Sequence, residues 1–499
     1  MNQPHPTATV CLRRLILFSA WLLTACSPAA WLAPAPTPTQ PEPIEMSACR
    51  LTGAAASAEC GVLDVLEDRA NPSGARIHLA VARIPSVSRS PQPDALFLIA
   101  GGPGQAATQA FLPTISAFDR IHQDRDIILV DQRGTGSSSP LTCPNPNTAQ
   151  SLLAPDPSPS QMAEVTQACL KGLHADPRHY TTQDFTADLD QVRDALGYAQ
   201  IDLLGVSYGT RAALEYLRAY PQRVRSLVLD GVAPPDWPIG ADAPANADRA
   251  MQAILVRCAQ DPACHAAFPA LAQEFADLFA SLDSHPPVLT LPDPASGEPI
   301  QLNLTHARAA AALYTLSYSA QTAALIPLLV HTAATGDPSR LAAQYLVIQR
   351  QLRENLADGL YLSVVCAEDA PFFPADPAGQ VSYLPDGAAG LQAECAAWPH
   401  VGQPAALRQP LHSNVPVLLL SGADDPVTPP ENAARVAQTL PNSLQLVASG
   451  LGHNVVFQGC LPRLTAEFIA QASPKGLDTV CVSTIRPDPF FLSFAGPMP

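Results

Sequence analysis

The sequence predicts an α/β protein, a mostly parallel sheet of eight strands carrying a mainly helical insertion late in the chain. Short β-rich runs recur at 62–66, 76–84, 95–100, 126–131, 201–205, 226–230, 415–420 and 444–448. Helical periodicity falls between them, as where Phe185, Leu189, Val192 and Leu196 repeat at i, i+4, i+7 and i+11. Alternation of strand with helix is what a parallel sheet requires, because each crossover must bring the chain back to run in the same direction.

Each element follows from its local chemistry. The runs 95–100 and 415–420 are nearly all apolar, as strands covered on both faces should be. The run 76–84 alternates instead, which suits an antiparallel strand near the sheet edge. Gly197 stands where the helix through Leu196 needs a C-terminal cap. A second helix is expected over 208–220, stopped by Pro221. From about 233 to 413 the alternation gives way to an Ala/Leu-rich helical pattern. That stretch reads as a lid inserted between the sixth and seventh strands. The expected organisation is a leader over 1–26, a Pro/Ala/Thr-rich tether over 27–44, core over 45–232, lid over 233–413 and core again over 414–499.

Composition narrows the function classes. The 499 residues are 47% hydrophobic and 14% charged, which supports a packed core and argues against disorder. The 53 prolines exclude a coiled coil or a plain helical bundle. Lys+Arg is 28 against Asp+Glu 44, giving −16, so no electrostatic footprint for nucleic acid exists.

The first residues read as an export address. Arg13 and Arg14 precede an apolar run at 15–23, too short to span a membrane, followed by Leu23-Thr24-Ala25-Cys26. That tetrapeptide resembles a bacterial lipobox, in which Cys26 is acylated and becomes the mature N-terminus. Ser27 after it resembles lipoproteins sorted to the outer membrane of a Gram-negative host. The expectation is an exported, envelope-anchored lipoprotein held to the membrane by its acyl chains. Setting aside Cys11 and Cys26, ten of the twelve cysteines fall in neighbouring pairs. These are Cys49/Cys60, Cys143/Cys169, Cys258/Cys264, Cys366/Cys395 and Cys460/Cys481, and local disulfides are the simplest expectation in an oxidising compartment. No Cys or His spacing suggests a metal site, and no cofactor is expected.

The chemistry gathers at a few loops. Gly205-Val206-Ser207-Tyr208-Gly209 lies between a strand and a helix, where a sharp turn needs small residues two before and two after the serine. Ser207 is therefore the expected nucleophile. A nucleophilic serine needs a base and the base an orienting acid. Gly450-Leu451-Gly452-His453 follows a late strand and supplies the base, His453. The acid is Asp425 or Asp424, with Asp230 as the outsider; Asp425 is favoured because Pro426 holds it extended. Gly101-Gly102-Pro103-Gly104 follows the third strand, where backbone N–H groups of Gly101 or Gly102, with that of Tyr208, can hold a developing oxyanion.

Together with Asp131-Gln132-Arg133-Gly134-Thr135-Gly136-Ser137, Asp425-Pro426-Val427-Thr428-Pro429 and Gly452-His453, these residues resemble the prolyl-iminopeptidase and tripeptidyl-aminopeptidase group of α/β-hydrolases. Tyr180-Thr181-Thr182, Cys258/Cys264 and Cys366-Ala367-Glu368-Asp369 are similar to secreted tripeptidyl-aminopeptidases, and the likeness covers roughly residues 60 to 485. One departure is Ala100, where the group often carries histidine. The resemblance implies an α/β-hydrolase fold and cleavage of peptides from a free N-terminus. It also implies a carboxylate for the substrate ammonium, for which Glu368 and Asp369 are the candidates. An esterase or amidase of the same fold is the alternative, and a non-catalytic surface binding protein is a third reading.

Overall fold

The computed structural model describes residues 43–51, 57–144, 149–374 and 382–495. The expected leader, Cys26 and nearly all of the tether lie outside these residues. In chain order the strands are β1 (Ser47–Cys49), β2 (Ala58–Leu66), β3 (Arg76–Ile84), β4 (Ala95–Ile99), β5 (Ile127–Val130), β6 (Ile201–Val206), β7 (Val224–Asp230), β8 (Val288–Pro292), β9 (Pro299–Asn303), β10 (Val417–Gly422) and β11 (Ser443–Ala448). Nine form one sheet in the order β1-β2-β3-β5-β4-β6-β7-β10-β11. β3 pairs antiparallel with β2 and β5, and every pairing from β5 to β11 is parallel.

This is the expected architecture with one strand more. β1 has only three residues, too short for any alternation to show, and its pairing to β2 is clamped by the Cys49–Cys60 disulfide. The insertion between β7 and β10 is helical as expected, but it also holds the antiparallel hairpin β8–β9. Pro292 ends β8 and Pro299 opens β9, and the apolar alternation there is too weak to separate from loop. The ten cysteines form the five neighbouring disulfides.

Burial explains why the central strands read as apolar runs. Every residue of β4, β5, β6 and β10 is buried. The helices Thr182–Ala195 and Tyr208–Ala219 cover one face through Phe185, Leu189, Leu214 and Leu217. Phe111, Phe118, Leu464 and Phe468 cover the other. A separate apolar cluster, from Met251 through Leu313 to Tyr345, belongs to the insertion. Parallel strands covered on both faces end together, so their C-terminal loops gather at one edge of the sheet, the usual place for a site in such folds.

The Asp131–Ser137 motif serves this frame. The Asp131 carboxylate accepts from the Thr108 backbone at 2.9 Å and from the Ser137 backbone at 3.1 Å, fixing the loop after β5 against the loop after β4. Arg133 is fully buried and forks onto Asp188 of the helix Thr182–Ala195, with Nε–Oδ2 at 2.6 Å and Nη2–Oδ1 at 2.8 Å. Its Nη1 also donates to the carbonyls of Glu67 and His179. Breaking such a pair leaves a buried charge without its counter-ion. Asp188→Ala should therefore lower unfolding free energy by about 3–5 kcal/mol, read as a lower midpoint in urea denaturation.

Candidate active site

Ser207 stands where β6 turns into the helix Tyr208–Ala219, with φ 56° and ψ −126°. That conformation is strained for a residue with a Cβ. It is also the one residue of 201–210 that is not buried, so its hydroxyl meets the space above the strand ends. The Ser207 backbone N–H donates to the Asp230 carbonyl at 2.8 Å, which ties the turn to the end of β7.

The acid and base meet across the sheet edge. His453 Nδ1 lies 2.8 Å from Asp425 Oδ2, and both side chains are buried. Asp425 follows β10 and accepts from the backbones of Val427 at 2.8 Å and Thr428 at 2.9 Å. Those two amides aim the carboxylate at the imidazole, as the turn chemistry before Pro426 suggested. Of the three acids considered, Asp425 bonds the imidazole. Asp424 feels the charges of Arg257 and Arg249 instead. Asp230 accepts from the backbones of Val455 at 3.0 Å and Val456 at 2.8 Å, fastening the loop just after His453. Burial pushes the Asp230 carboxyl up to about 6 against those two amides.

His453 and Ser207 have a neighbour in common. A Cβ placed on Gly231 would sit 2.9 Å from His453 Cε1, and Gly231 directly follows the residue whose carbonyl holds the Ser207 amide. On the other side, a Cβ on Gly101 would sit 2.9 Å from the Ser207 Cβ. The Gly101-Gly102 loop thus lies against the serine. Among the described residues no acceptor takes the N–H of Gly101, Gly102 or Tyr208, which leaves all three candidates for the oxyanion free to donate.

The sequence reading missed Thr428. Its hydroxyl donates to Asp425 Oδ2 at 2.9 Å and lies 3.1 Å from His453 Nδ1, so it fills the remaining side of the acid–base pair. Its signal was Thr three residues after the acid, the spacing at which a side chain folds back across an Asx-type turn. Tyr318 of the insertion was missed as well. Its ring meets the His453 ring edge-on at 5.4 Å, and its carbonyl accepts the His453 N–H at 2.6 Å. No local pattern announces a contact made across 135 residues.

Glu368 and Asp369 end the helix Asp358–Glu368 and are both buried. Glu368 accepts from the Thr182 backbone at 2.8 Å and the Thr182 hydroxyl at 2.7 Å. That hydroxyl lies 2.8 Å from the phenol of Tyr208, linking Glu368 to the nucleophile turn. Burial pushes the Glu368 carboxyl up to about 7, against the pull of Arg211 and Thr182. Asp369 pairs with Arg211 at 2.8 Å and accepts from the Ile239 backbone at 2.9 Å. Thr182 therefore takes both oxygens of Glu368, whereas Asp369 is bonded through Oδ1 and its buried Oδ2 has no partner among the described residues. Among the described residues, no group of three or more His, Cys, Asp or Glu is placed to hold a metal ion.

Burial disfavours the imidazolium of His453, but the charge and hydrogen bond of Asp425, with the charge of Asp230, outweigh it and raise its pKa above the ordinary 6.5. The neutral imidazole is the form that accepts a proton, so hydrolytic activity should rise with pH through a limb above 6.5. Asp425→Asn should move that limb to lower pH and reduce kcat by about 10⁴. Thr428→Val should cost about 10–100-fold, the loss expected for a hydrogen bond to a charged group. A pH–rate profile of each purified variant checks all three.

Comparison with known proteins agrees with this geometry. A family model for the alpha/beta hydrolase fold matches residues 94–459. The chain is 27% identical over 479 residues to serine protease Hip1 of Mycobacterium tuberculosis, covering 87% of this chain and 90% of that one. It is 32% identical over 192 residues to a tripeptidyl aminopeptidase of Streptomyces coelicolor, 36% of this chain and 35% of the other. A proline iminopeptidase of Neisseria gonorrhoeae is 28% identical over 145 residues, 29% of this chain and 34% of that one. The last two are of the group the motifs pointed to, and with the family model matching well over half of its length, the chain belongs to the alpha/beta hydrolase fold family.

Proposed function

We propose that the protein is an exported serine exopeptidase that releases short N-terminal units from peptides through an acyl-enzyme. The buried Asp425–His453 pair beside the strained Ser207 carries the reading. Ser207 Oγ attacks the scissile carbonyl while His453 takes its proton, and Asp425 stabilises the imidazolium that forms. The N–H groups of Gly102 and Tyr208 hold the oxyanion. Collapse expels the amine, which receives the proton from His453, and water then releases the acyl unit by the same steps in reverse. Likeness to Hip1 and to the tripeptidyl aminopeptidase supports a peptide substrate. For the free N-terminus the proposal relies on Glu368 and Asp369, since an ammonium enclosed without a carboxylate is costly.

An esterase or amidase is the second reading, and one observation favours it: Thr182 already takes both oxygens of Glu368, and Arg211 pairs with Asp369. The Leu23-Thr24-Ala25-Cys26 tetrapeptide supports anchoring of the exported chain to the cell envelope through acylated Cys26.

Ser207→Ala should abolish turnover, a loss on the order of 10⁶ in kcat, with thermal unfolding nearly unchanged. Retained turnover would place the nucleophile elsewhere. N-acetylation of a peptide substrate should lower kcat/KM sharply, and Glu368→Gln should shrink that preference. Equal cleavage of blocked and free peptides would favour the esterase or amidase reading and leave the triad standing. Cys26→Ser should move the protein from the membrane fraction to the soluble exported fraction or block its maturation. Normal cleavage with unchanged membrane fractionation would refute the anchor.

A further inference from the structure

Two arginines of the insertion's helix Ala243–Gln260 reach into the loops that carry the acid and the histidine. Arg249 Nη1 donates to the Ala423 carbonyl at 2.9 Å, and its Nη2 donates to the carbonyl of Asp425 itself. Two turns on, Arg257 Nη1 donates to the Gly450 carbonyl at 3.3 Å, and its guanidinium lies 4.7 Å from the Phe490 ring centre. Asp424, half-buried, feels the charges of both guanidiniums. The Asp424 backbone N–H donates to the Leu451 carbonyl at 2.9 Å and so joins the acid loop to the histidine loop.

We propose that Arg249 is a positioning residue for the reaction. From the insertion it holds Asp425 in register with His453 and, with Asp424, adds a smaller part to the electric field at the imidazole. The proposal rests on the reading of Ser207, His453 and Asp425 as a triad. The amides of Val427 and Thr428 grip the Asp425 carboxylate from the residues that follow it. Arg249 grips the same turn from its other side, through the carbonyls of residues 423 and 425. A planar fork can span two carbonyls at once, which the point charge of a lysine does less well.

Charge adds a second effect with a definite sign. His453 is faced by Asp425, Asp230, the Thr428 hydroxyl and the Tyr318 ring, and by neither Arg249 nor Asp424 directly. The cation of Arg249 nearby disfavours a proton on His453, and the carboxylate of Asp424 favours one. Removing the cation therefore raises the histidine's pKa, and removing the carboxylate lowers it.

The test follows the rate of covalent labelling by a fluorophosphonate against pH, in the full chain and its variants. Arg249→Gln should slow labelling about 10–100-fold and move the acid limb up by roughly a few tenths of a pH unit. Arg249→Lys keeps the charge, so its limb should stay in place while part of the rate returns. Asp424→Asn should move the limb down. An unmoved limb in Arg249→Gln, or equal losses in the Gln and Lys variants, would make Arg249 a structural brace only and overturn the proposal. If Arg249→Gln does not fold, Asp424→Asn decides: a limb that stays or rises refutes the field argument. Labelling that survives Ser207→Ala would remove the triad reading itself, whatever the arginine variants show.

Discussion

β6 becomes the helix Tyr208–Ala219 through the single residue Ser207, and the chain can make that turn only because two neighbours lack a side chain. A Cβ on Gly205 would stand 2.3 Å from the Gly209 carbonyl oxygen, and a Cβ on Gly209 would stand 2.4 Å from that of Ile99. Both are closer than any real contact, and both obstacles are backbone that cannot step aside. The helix start is thereby pressed against the end of β4, which brings the Tyr208 N–H and the Gly101-Gly102 loop to the same serine. Strain at φ 56° is held by the buried ends of the strands on either side. Without that close packing neither the serine hydroxyl nor the neighbouring N–H groups would have a fixed place.

The rest of the site is a matter of which loops the parallel sheet delivers to one edge. β7 ends at Asp230, β10 leads to Asp425 and β11 leads to His453. Their side chains share the labour among neighbouring acids. Asp425 orients the imidazole, Asp230 anchors the two amides after it, and Asp424 answers the arginines of the insertion. Three carboxylates near one histidine would repel one another if all were alike. Burial pushes the Asp230 and Asp424 carboxyls upward, and the charge of Asp425 adds to the push on Asp230.

Much of this was legible in the sequence because the signals are local. Apolar runs at 95–100 and 415–420, the glycines around Ser207 and the Asp425-Pro426 turn each announce a backbone constraint within a few residues. β1 was not legible because three residues carry no period, nor was the hairpin β8–β9, whose alternation is weak. Tyr318 and Arg249 were hidden for a different reason. Each acts through its placement against a loop more than a hundred residues away, and nothing in the residues around them marks that contact. The roles of Glu368 and Asp369 divide likewise. Their place beside Cys366 was plain, but that Thr182 and Arg211 would hold them was not.

The central claim is that one serine, held in a strained turn beside a buried histidine–aspartate pair, forms the covalent intermediate. Peptide mapping by mass spectrometry of the wild-type protein after fluorophosphonate treatment tests it most directly. The account predicts a single adduct, on Ser207, that fails to form once the protein is unfolded. An adduct on any other residue, Ser137 above all, or labelling that persists in the unfolded chain, would contradict it.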